Sequence, residues 1–271
     1  MFKISLPANG PKPGYYDAYV GYLRKILDYQ GIEYSLEGRA IYNSFIMKID
    51  GKDIVFDFSD YHKFQRDPSQ YQTYFKFHYN KQKHGSFKNV YSFTPISFYT
   101  WDEFYRIQDE INYTCNNSIV FNMQEPRHNA FERRTFVQDM LKQRYKNNVV
   151  LTHNQSQEIY WKTINNCLVH VFVPGARNDM LDRGQLQCMA FGCCTISPHI
   201  SDSVACDGDL IPDRHYIACD RDYSDLIEKI EWCKHNRKFC VEIGQNAKRL
   251  FNETSTPDKL WDWIVRNENV C

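Results

Sequence analysis

The stretch VFVPGARNDMLDRGQLQCMAFGCCTISP, Val171–Pro198, decides the fold. It opens on an apolar run, Cys167–Val173, whose composition is that of a buried strand. Pro174-Gly175 stops the strand, a polar loop over 176–180 follows, and a helix is expected over Leu181–Phe191. Small residues, Gly192-Cys193-Cys194, then lead into a second strand at Cys194–Ser197. Outward from this unit the same alternation repeats. Strands are expected at Ser118–Asn122, Asn148–Leu151 and His215–Cys219, the last an edge or terminal strand. Helices are expected at Phe131–Tyr145, with Phe136, Met140 and Leu141 on one side, and at Gln155–Ile164. Strands alternating with helices of this length indicate βαβ units around a parallel sheet. After His215–Cys219, Ser224 is placed as a helix N-cap with Asp225 in the first turn. Leu226, Ile230 and Cys233, then Cys240, Ile243, Ala247 and Leu250, form apolar stripes that belong to the core.

The N-terminal half has another rhythm, rich in Tyr and Phe. Phe2–Leu6 reads as a strand and Tyr15–Tyr29 as a helix closed by Gly31. Ser44–Ile49 and Asp53–Phe58 flank an Asp-Gly-Lys turn, a hairpin signal. Tyr74–His78 and Asn89–Phe93 are further strands, and Trp101–Ile111 is a helix leading to a boundary near Asn117. The expected domains are therefore 1–117 and 118–271.

Composition narrows the function classes. With 33 Lys+Arg against 33 Asp+Glu, the chain lacks the basic excess that a phosphate-neutralising nucleic-acid binder shows. No apolar run long enough for a membrane span occurs, and the first ten residues are too polar for a secretory leader. All ten cysteines lie at or beyond Cys115 without a CxxC repeat, which suits buried thiols in a reducing compartment better than a zinc site.

In an open parallel sheet, ligands bind beyond the carboxyl ends of the strands, where helix N-termini offer free N–H groups to phosphate. Gly175 ends one such strand, with Arg177, Asp182, Arg183 and Gln187 on the loop and helix that follow. Arg127, Arg133 and Arg134 follow the first strand of the same sheet. Two arginine-bearing helix starts at one sheet edge make a diphosphate site. The plain alternative is an ordinary strand–loop–helix with arginines on a solvated face.

The C-terminal half resembles the capsule-associated and protein O-glucosyltransferase family of GT-B glycosyltransferases. The matching residues are Arg133-Arg134, VPG followed by an Arg-bearing helix over Val173–Arg183, and LIPDRHYIACDRDYSDLIEKIEWCKHN from Leu210 to Asn236. Ile243–Phe251 also matches an I-x-x-N-A-x-x-F phrase. The resemblance spans about residues 118–255, and Tyr74–Asn80 (YFKFHYN) resembles a Lys-bearing strand of such enzymes. It implies an α/β, GT-B-like fold, two Rossmann-like domains with a cleft between them. It implies transfer of a sugar, glucose or xylose first, from a UDP-sugar to a glycan or glycoprotein hydroxyl. No cofactor is implied beyond the donor and no metal. The donor would lie on the C-terminal domain, with His215 and Tyr216 of the L-x-P-x-x-H-Y phrase among its contacts. The family's secretory signal and ER-retention tail are absent, which fits a cytoplasmic or virus-encoded enzyme.

An inverting transfer needs a carboxylate base, and the expected one lies in DIVFDFSDYHKF. If Ile54, Phe56 and Phe58 face the core, Asp57 faces away, and Asp60 sits at the strand end. Asp60 is preferred, with a turn-capping role as the alternative for either. Two rival readings remain. A metal-dependent GT-A enzyme would use Asp207-Gly208-Asp209 or Asp220-Arg221-Asp222 as its acidic triplet. A non-catalytic carbohydrate-binding protein on the same fold would suit the 19 Tyr and 5 Trp but has no need of the arginines.

Overall fold

The hairpin expected at Asp50-Gly51 forms as written. In the computed structural model β3 (Ser44–Ile49) pairs antiparallel with β4 (Lys52–Asp57), and Ile49 lies opposite Lys52. The two residues between them have φ of 51° and 83°, the left-handed pair that a two-residue turn of this hand demands. Residues 2–268 are described, apart from 12, 42, 60, 95–99, 119, 122–129, 152–155, 165, 176–178, 182 and 201–203.

Around the hairpin grows a six-stranded mixed sheet. Its other strands are β1 (Ile4–Leu6), β2 (Ser35–Leu36), β5 (Thr73–Lys76) and β6 (Val90–Ser92), in the order β2-β1-β3-β4-β5-β6. Only β3 runs antiparallel to its neighbours. Alternation along β4 assigns its faces. Phe56 stacks with Phe45 and Phe75 at 5.2 and 5.0 Å and meets Phe93 edge-on at 5.1 Å. Helix α1 (Pro13–Tyr29) closes this face, Tyr19 lying 4.2 Å from the Phe58 ring. The opposite face carries Val55, Tyr74 and Val90, and Phe64, Tyr71 and Tyr79 pack against it. Both faces are therefore buried, and Asp57 points into the second of them. The short helix α2 (Lys81–His84) follows β5, and α3 (Trp101–Glu110) follows β6.

The later strands β7 (Val120–Phe121), β8 (Val149–Val150), β9 (Val169–Val171), β10 (Thr195–Pro198) and β13 (Ile217–Cys219) form a second, wholly parallel sheet. Its order is β13-β10-β9-β7-β8, with β13 at an edge as expected. Helices α4 (Phe131–Tyr145), α5 (Gln157–Ile164) and α6 (Arg183–Ala190) connect successive strands. The fold is thus α/β with a parallel sheet flanked by helices. A two-stranded ribbon, β11 (Val204–Ala205) and β12 (Gly208–Asp209), interrupts the path from β10 to β13. Helices α7 (Leu226–His235), α8 (Arg237–Thr254) and α9 (Pro257–Glu268) complete the chain.

Three local expectations change. Helix α4 buries Val137, Gln138, Leu141 and Tyr145, while Phe136 is 54% exposed, so the core face is rotated from the one read off Phe136 and Met140. Helix α7 starts after Asp225, not Ser224. The Ser224 hydroxyl instead donates to Asp220, and the Asp225 carboxylate accepts from the Asp220 N–H. The two compact units do not meet at one cut near Asn117. The first comprises Met1–Trp101, Ser203–Gly208 and Glu253–Cys271, and the second Asp102–Asp202 and Asp209–Asn252. Helix α9 belongs with the mixed sheet because it is sewn to it. Thr73 Oγ1 donates to the Asn267 carbonyl at 2.9 Å, Lys52 pairs with Glu268 at 2.6 Å, and Trp263 Nε1 donates to the Ser92 carbonyl at 2.9 Å.

In the second unit Gly192, at φ 70°, turns the chain from α6 into β10. A Cβ on Gly244 would run into the Gly192 carbonyl, so α8 crosses this turn with its backbone nearly touching it. Among the described residues nine cysteines are free and buried. Among the described residues no helix is long and apolar enough to cross a membrane.

Candidate functional site

In chain order the parallel strands read 5-4-3-1-2 across the sheet. The order reverses between β7 and β9, whose neighbouring connections leave on opposite sides. The carboxyl ends of the strands at such a reversal are the place where doubly wound sheets hold their ligands.

What lies there is built from α4 and the turn after β9. Arg133 Nη2 donates to the carbonyls of Pro174, at 3.3 Å, and of Gly175. Arg134 Nε donates to the Val173 carbonyl at 3.2 Å. The adjacent arginines thus clamp the outgoing end of the central strand. A Cβ at position 175 would lie 3.9 Å from Arg134 Nη2, an ordinary van der Waals contact, so glycine is not required there. The clamp leaves donors over. Arg133 Nε and Thr135 Oγ1 are buried and find no hydrogen-bond partner among the described residues. The first turn of α4 has no side-chain cap from Ala130. A cationic group with a buried unused N–H in the first turn of a helix is a donor set for an anion, whereas Thr135, two residues on, projects from another side of α4.

Tyr223 was not singled out by sequence, yet it belongs to this corner. It is 1% exposed, and its hydroxyl donates to the Phe172 carbonyl at 3.5 Å. Burial drives its phenol well above the ordinary range, and the nearby charges of Arg133 and Arg134 only partly oppose that. It therefore stays neutral beneath the two guanidinium groups. Its φ of 64° was the one signal available, and that is a structural rather than a sequence signal.

The other expected donor residues fall into three groups. Arg183 is the first residue of α6 and is half-buried. Gln187, His215 and Tyr216 are buried at 7%, 6% and 0% exposure, and polar atoms of each serve the fold. Gln187 Oε1 accepts from Trp161 Nε1 at 2.8 Å, and His215 Nδ1 accepts from the Ile211 N–H at 3.1 Å. The Tyr216 hydroxyl accepts from the Ile200 N–H at 3.0 Å, tying the 211–216 turn to the loop leaving β10. The His-Tyr phrase thus stands just before β13, at the amino end of that strand, where its polar atoms hold turns together. Arg127, Arg177 and Asp182 lie outside the described residues.

On the mixed sheet, Asp57 does lie on the face opposite Phe56, but that face is covered. Its carboxylate accepts from Ser59 N at 2.9 Å, Ser59 Oγ at 2.7 Å and Gln65 N at 2.9 Å. It also accepts from Tyr74 Oη at 2.6 Å and pairs with Lys76 Nζ at 3.1 Å, both side chains of the ion pair being 0% exposed. Lys76 Nζ further donates to Ser59 Oγ at 2.6 Å. Five donors on two oxygens leave little lone-pair capacity for a sixth proton. The geometry is that of a buried strut holding Ser59 and Gln65 on the sheet. Beside it His84 is buried, and burial lowers its imidazole below the usual value. Asp60, the preferred base, lies outside the described residues.

The acidic triplets are also engaged locally. Asp207 pairs with Arg266 at 2.7 Å, and Asp220 and Asp222 bond Ser224.

No protein-family model matches the chain. Uncharacterized protein 179R of Invertebrate iridescent virus 6 is 38% identical over 55 residues, which are 20% of this chain and 5% of that protein. The chain therefore spans about a twentieth of the length of the curated relative it matches. Among solved structures, TarM aligns over 74% of this chain and 44% of its own, with 8% identity and a TM-score of 0.48. A mutant of S. aureus TarM in complex with fondaparinux, alpha-GlcNAc-glycerol and UDP aligns over 74% and 45%, with 9% identity and a TM-score of 0.47. The chain thus spans less than half of either TarM chain. At these values the likeness carries no inference about chemistry, and the residues above stand on their own geometry.

Proposed function

We propose that the chain is a GT-B-like glycosyltransferase whose second unit binds a UDP-sugar through its diphosphate. The observation that carries this reading is the Arg133–Arg134 clamp at the switch point of the parallel sheet, with Arg133 Nε buried and unused. A diphosphate seated there would meet that N–H and the start of α4. Charge on the leaving UDP would then be stabilised by fixed donors that need no reorganisation during the reaction. The same donors would serve without a metal ion. The donor sugar is proposed to be glucose or xylose and the acceptor a glycan or glycoprotein hydroxyl, as the family resemblance implies. With the oxygens of Asp57 occupied, Asp60 is the base proposed from FDFSDYH. The cytoplasm of a virus-infected cell is the proposed place of action.

Calorimetric titration with UDP tests the reading. Binding is expected, and Arg133→Ala should weaken it by about 1.5–3 kcal/mol, the worth of a hydrogen bond to a charged group. Unchanged UDP affinity in a folded Arg133→Ala protein would remove the clamp from the donor site. A screen of UDP- and GDP-sugars for donor hydrolysis, run in EDTA, then identifies the sugar and tests metal independence.

A further inference from the structure

Charge is segregated on the first unit. Between Asp60 and Asp102 the sequence holds one carboxylate, Asp67, against six cations, in a chain whose charges balance as a whole. One of the six, Lys76, is buried and cancelled by Asp57. The other five, Lys63, Arg66, Lys81, Lys83 and Lys88, belong to the layer that covers the Val55, Tyr74 and Val90 face of the sheet. That layer is tied together. Phe64 meets Phe87 edge-on at 5.0 Å and lies 5.3 Å from the His84 ring, and His84 Nε2 is 2.8 Å from the His62 carbonyl. Asn80 caps α2, its side chain accepting from the Lys83 N–H at 3.2 Å. The segment around Phe64, the helix α2 and the turn carrying Phe87 thus present one surface.

This surface differs from the exterior elsewhere, where cations are answered by carboxylates, as in Lys234–Glu231 at 2.9 Å and Lys162–Glu158 at 2.8 Å. Here Lys63 and Lys88 are exposed and make no ion pair among the described residues. Arg66 spends its guanidinium on neutral oxygens, Ser44 Oγ at 3.1 Å and Tyr71 Oη at 3.3 Å, so its charge is not cancelled there. Lys81 and Lys83 stand exposed on α2. The Asp67 carboxylate is taken up by the Ser69 N–H and hydroxyl, at 3.0 and 2.8 Å. Two large rings are exposed among these charges, Tyr61 at 46% and Phe87 at 39%.

The side-chain types select the partner. Four of the five cations are lysines, hydrated point charges on flexible apolar stems, without the planar fork that reads a single phosphate or a base edge. Beside an exposed Phe and Tyr they suit a plane of spread negative charge above an apolar layer. Rings and stems enter the interface while the ammonium groups stay with the headgroups. We propose that this face of the first unit docks the protein on an anionic lipid bilayer. Docking of this kind needs no membrane-spanning helix, and it stands whether or not the second unit transfers sugar.

The test is flotation of the full chain with vesicles of phosphatidylcholine, alone or with about a third phosphatidylserine. Binding is expected to the anionic vesicles only, and it should fall about tenfold or more as salt rises from about 0.1 to 0.5 M. Combining Lys63→Gln, Lys83→Gln and Lys88→Gln, all at exposed positions, should weaken partitioning about a hundredfold, at about fivefold per lysine. The triple variant should melt with the wild type. Phe87→Ala should weaken partitioning about tenfold. Trp232→Ala, which removes an exposed ring of the second unit, should leave it unchanged. Absence of binding to anionic vesicles overturns the proposal, as does binding that the triple variant retains in full or that Trp232→Ala lowers as much. Tighter binding of a single-stranded oligonucleotide than of the vesicles, lost in the same triple variant, would overturn it in favour of a nucleic-acid surface.

Discussion

Replacing Asp57 with Asn distinguishes a catalytic base from a structural strut. The carboxylate and the Lys76 ammonium are both 0% exposed, 3.1 Å apart, and four other donors also bond the carboxylate. Asparagine keeps the volume but removes the charge and turns one acceptor into a donor. The amide N–H₂ must then face either the Lys76 ammonium and Ser59 or the Tyr74 hydroxyl and the Gln65 N–H. Breaking a buried pair on one side costs about 3–5 kcal/mol, because the remaining charge is stranded. For a unit of this size that is a fall in melting temperature of about 6–20 °C. Lys76→Met should cost a similar amount by stranding the carboxylate. The assay is thermal unfolding of both variants beside UDP-sugar turnover measured well below the transition. Loss of stability with turnover retained in the folded fraction supports the strut. An Asp57→Asn protein as stable as the wild type but depressed in turnover by about 10²–10⁴, the range for one general base, would refute it.

Gly244→Ala should destabilise the second unit by about 2 kcal/mol or more, since overpacking outweighs the gain in helix propensity; an unchanged urea midpoint would contradict the close crossing at Gly192. His170 is wholly buried, and burial pushes its pKa down to about 3, against an ordinary value near 6.5. Between those values the unfolded chain binds a proton that the folded chain does not, so stability falls as pH drops through this window, by up to about 1.4 kcal/mol per pH unit. Folded His170→Gln should show a flatter acid limb in pH-dependent urea denaturation. Arg183→Ala, at the start of α6, should weaken UDP binding by about 1.5–3 kcal/mol, and equal affinity would exclude it from the donor site.

The parallel sheet was legible in the sequence because each strand, such as Cys167–Val173, is a short apolar run closed by a Pro-Gly or polar loop. The arginine clamp was legible in part. A strand end followed by a helix start fixes where Arg133, Arg134 and Gly175 must lie. Only the fold brings residues some forty positions apart into hydrogen-bond contact. The face of α4 was misread because its apolar residues are scattered around the helix, so tertiary contacts with the sheet choose Val137 and Leu141 over Phe136. Asp57 was placed on the correct side of β4 by alternation. Period-two patterning reports which face a residue occupies. It does not report whether a later segment covers that face, as Phe64, Gln65, Tyr71 and α2 do here. His215 and Tyr216 stand out in sequence as polar aromatic neighbours, but their roles depend on the distant N–H of Ile200 and on the turn at Ile211.

The chain passes between its two units at 101/102, 202/203, 208/209 and 252/253, and this has a consequence for synthesis on the ribosome. The mixed sheet is made first, yet its stitches to Ser92, Thr73 and Lys52 come from Trp263, Asn267 and Glu268, near the end of the sequence. A nascent chain therefore waits with an unfinished first unit while the second, apart from its own tail in α8, emerges and can fold. Fragments cut at Asn117 would keep the hairpin and lose the helix that closes it. Chaperone dependence, and the point at which a ribosome-bound chain becomes protease-resistant, should follow the appearance of α9 rather than the completion of β6.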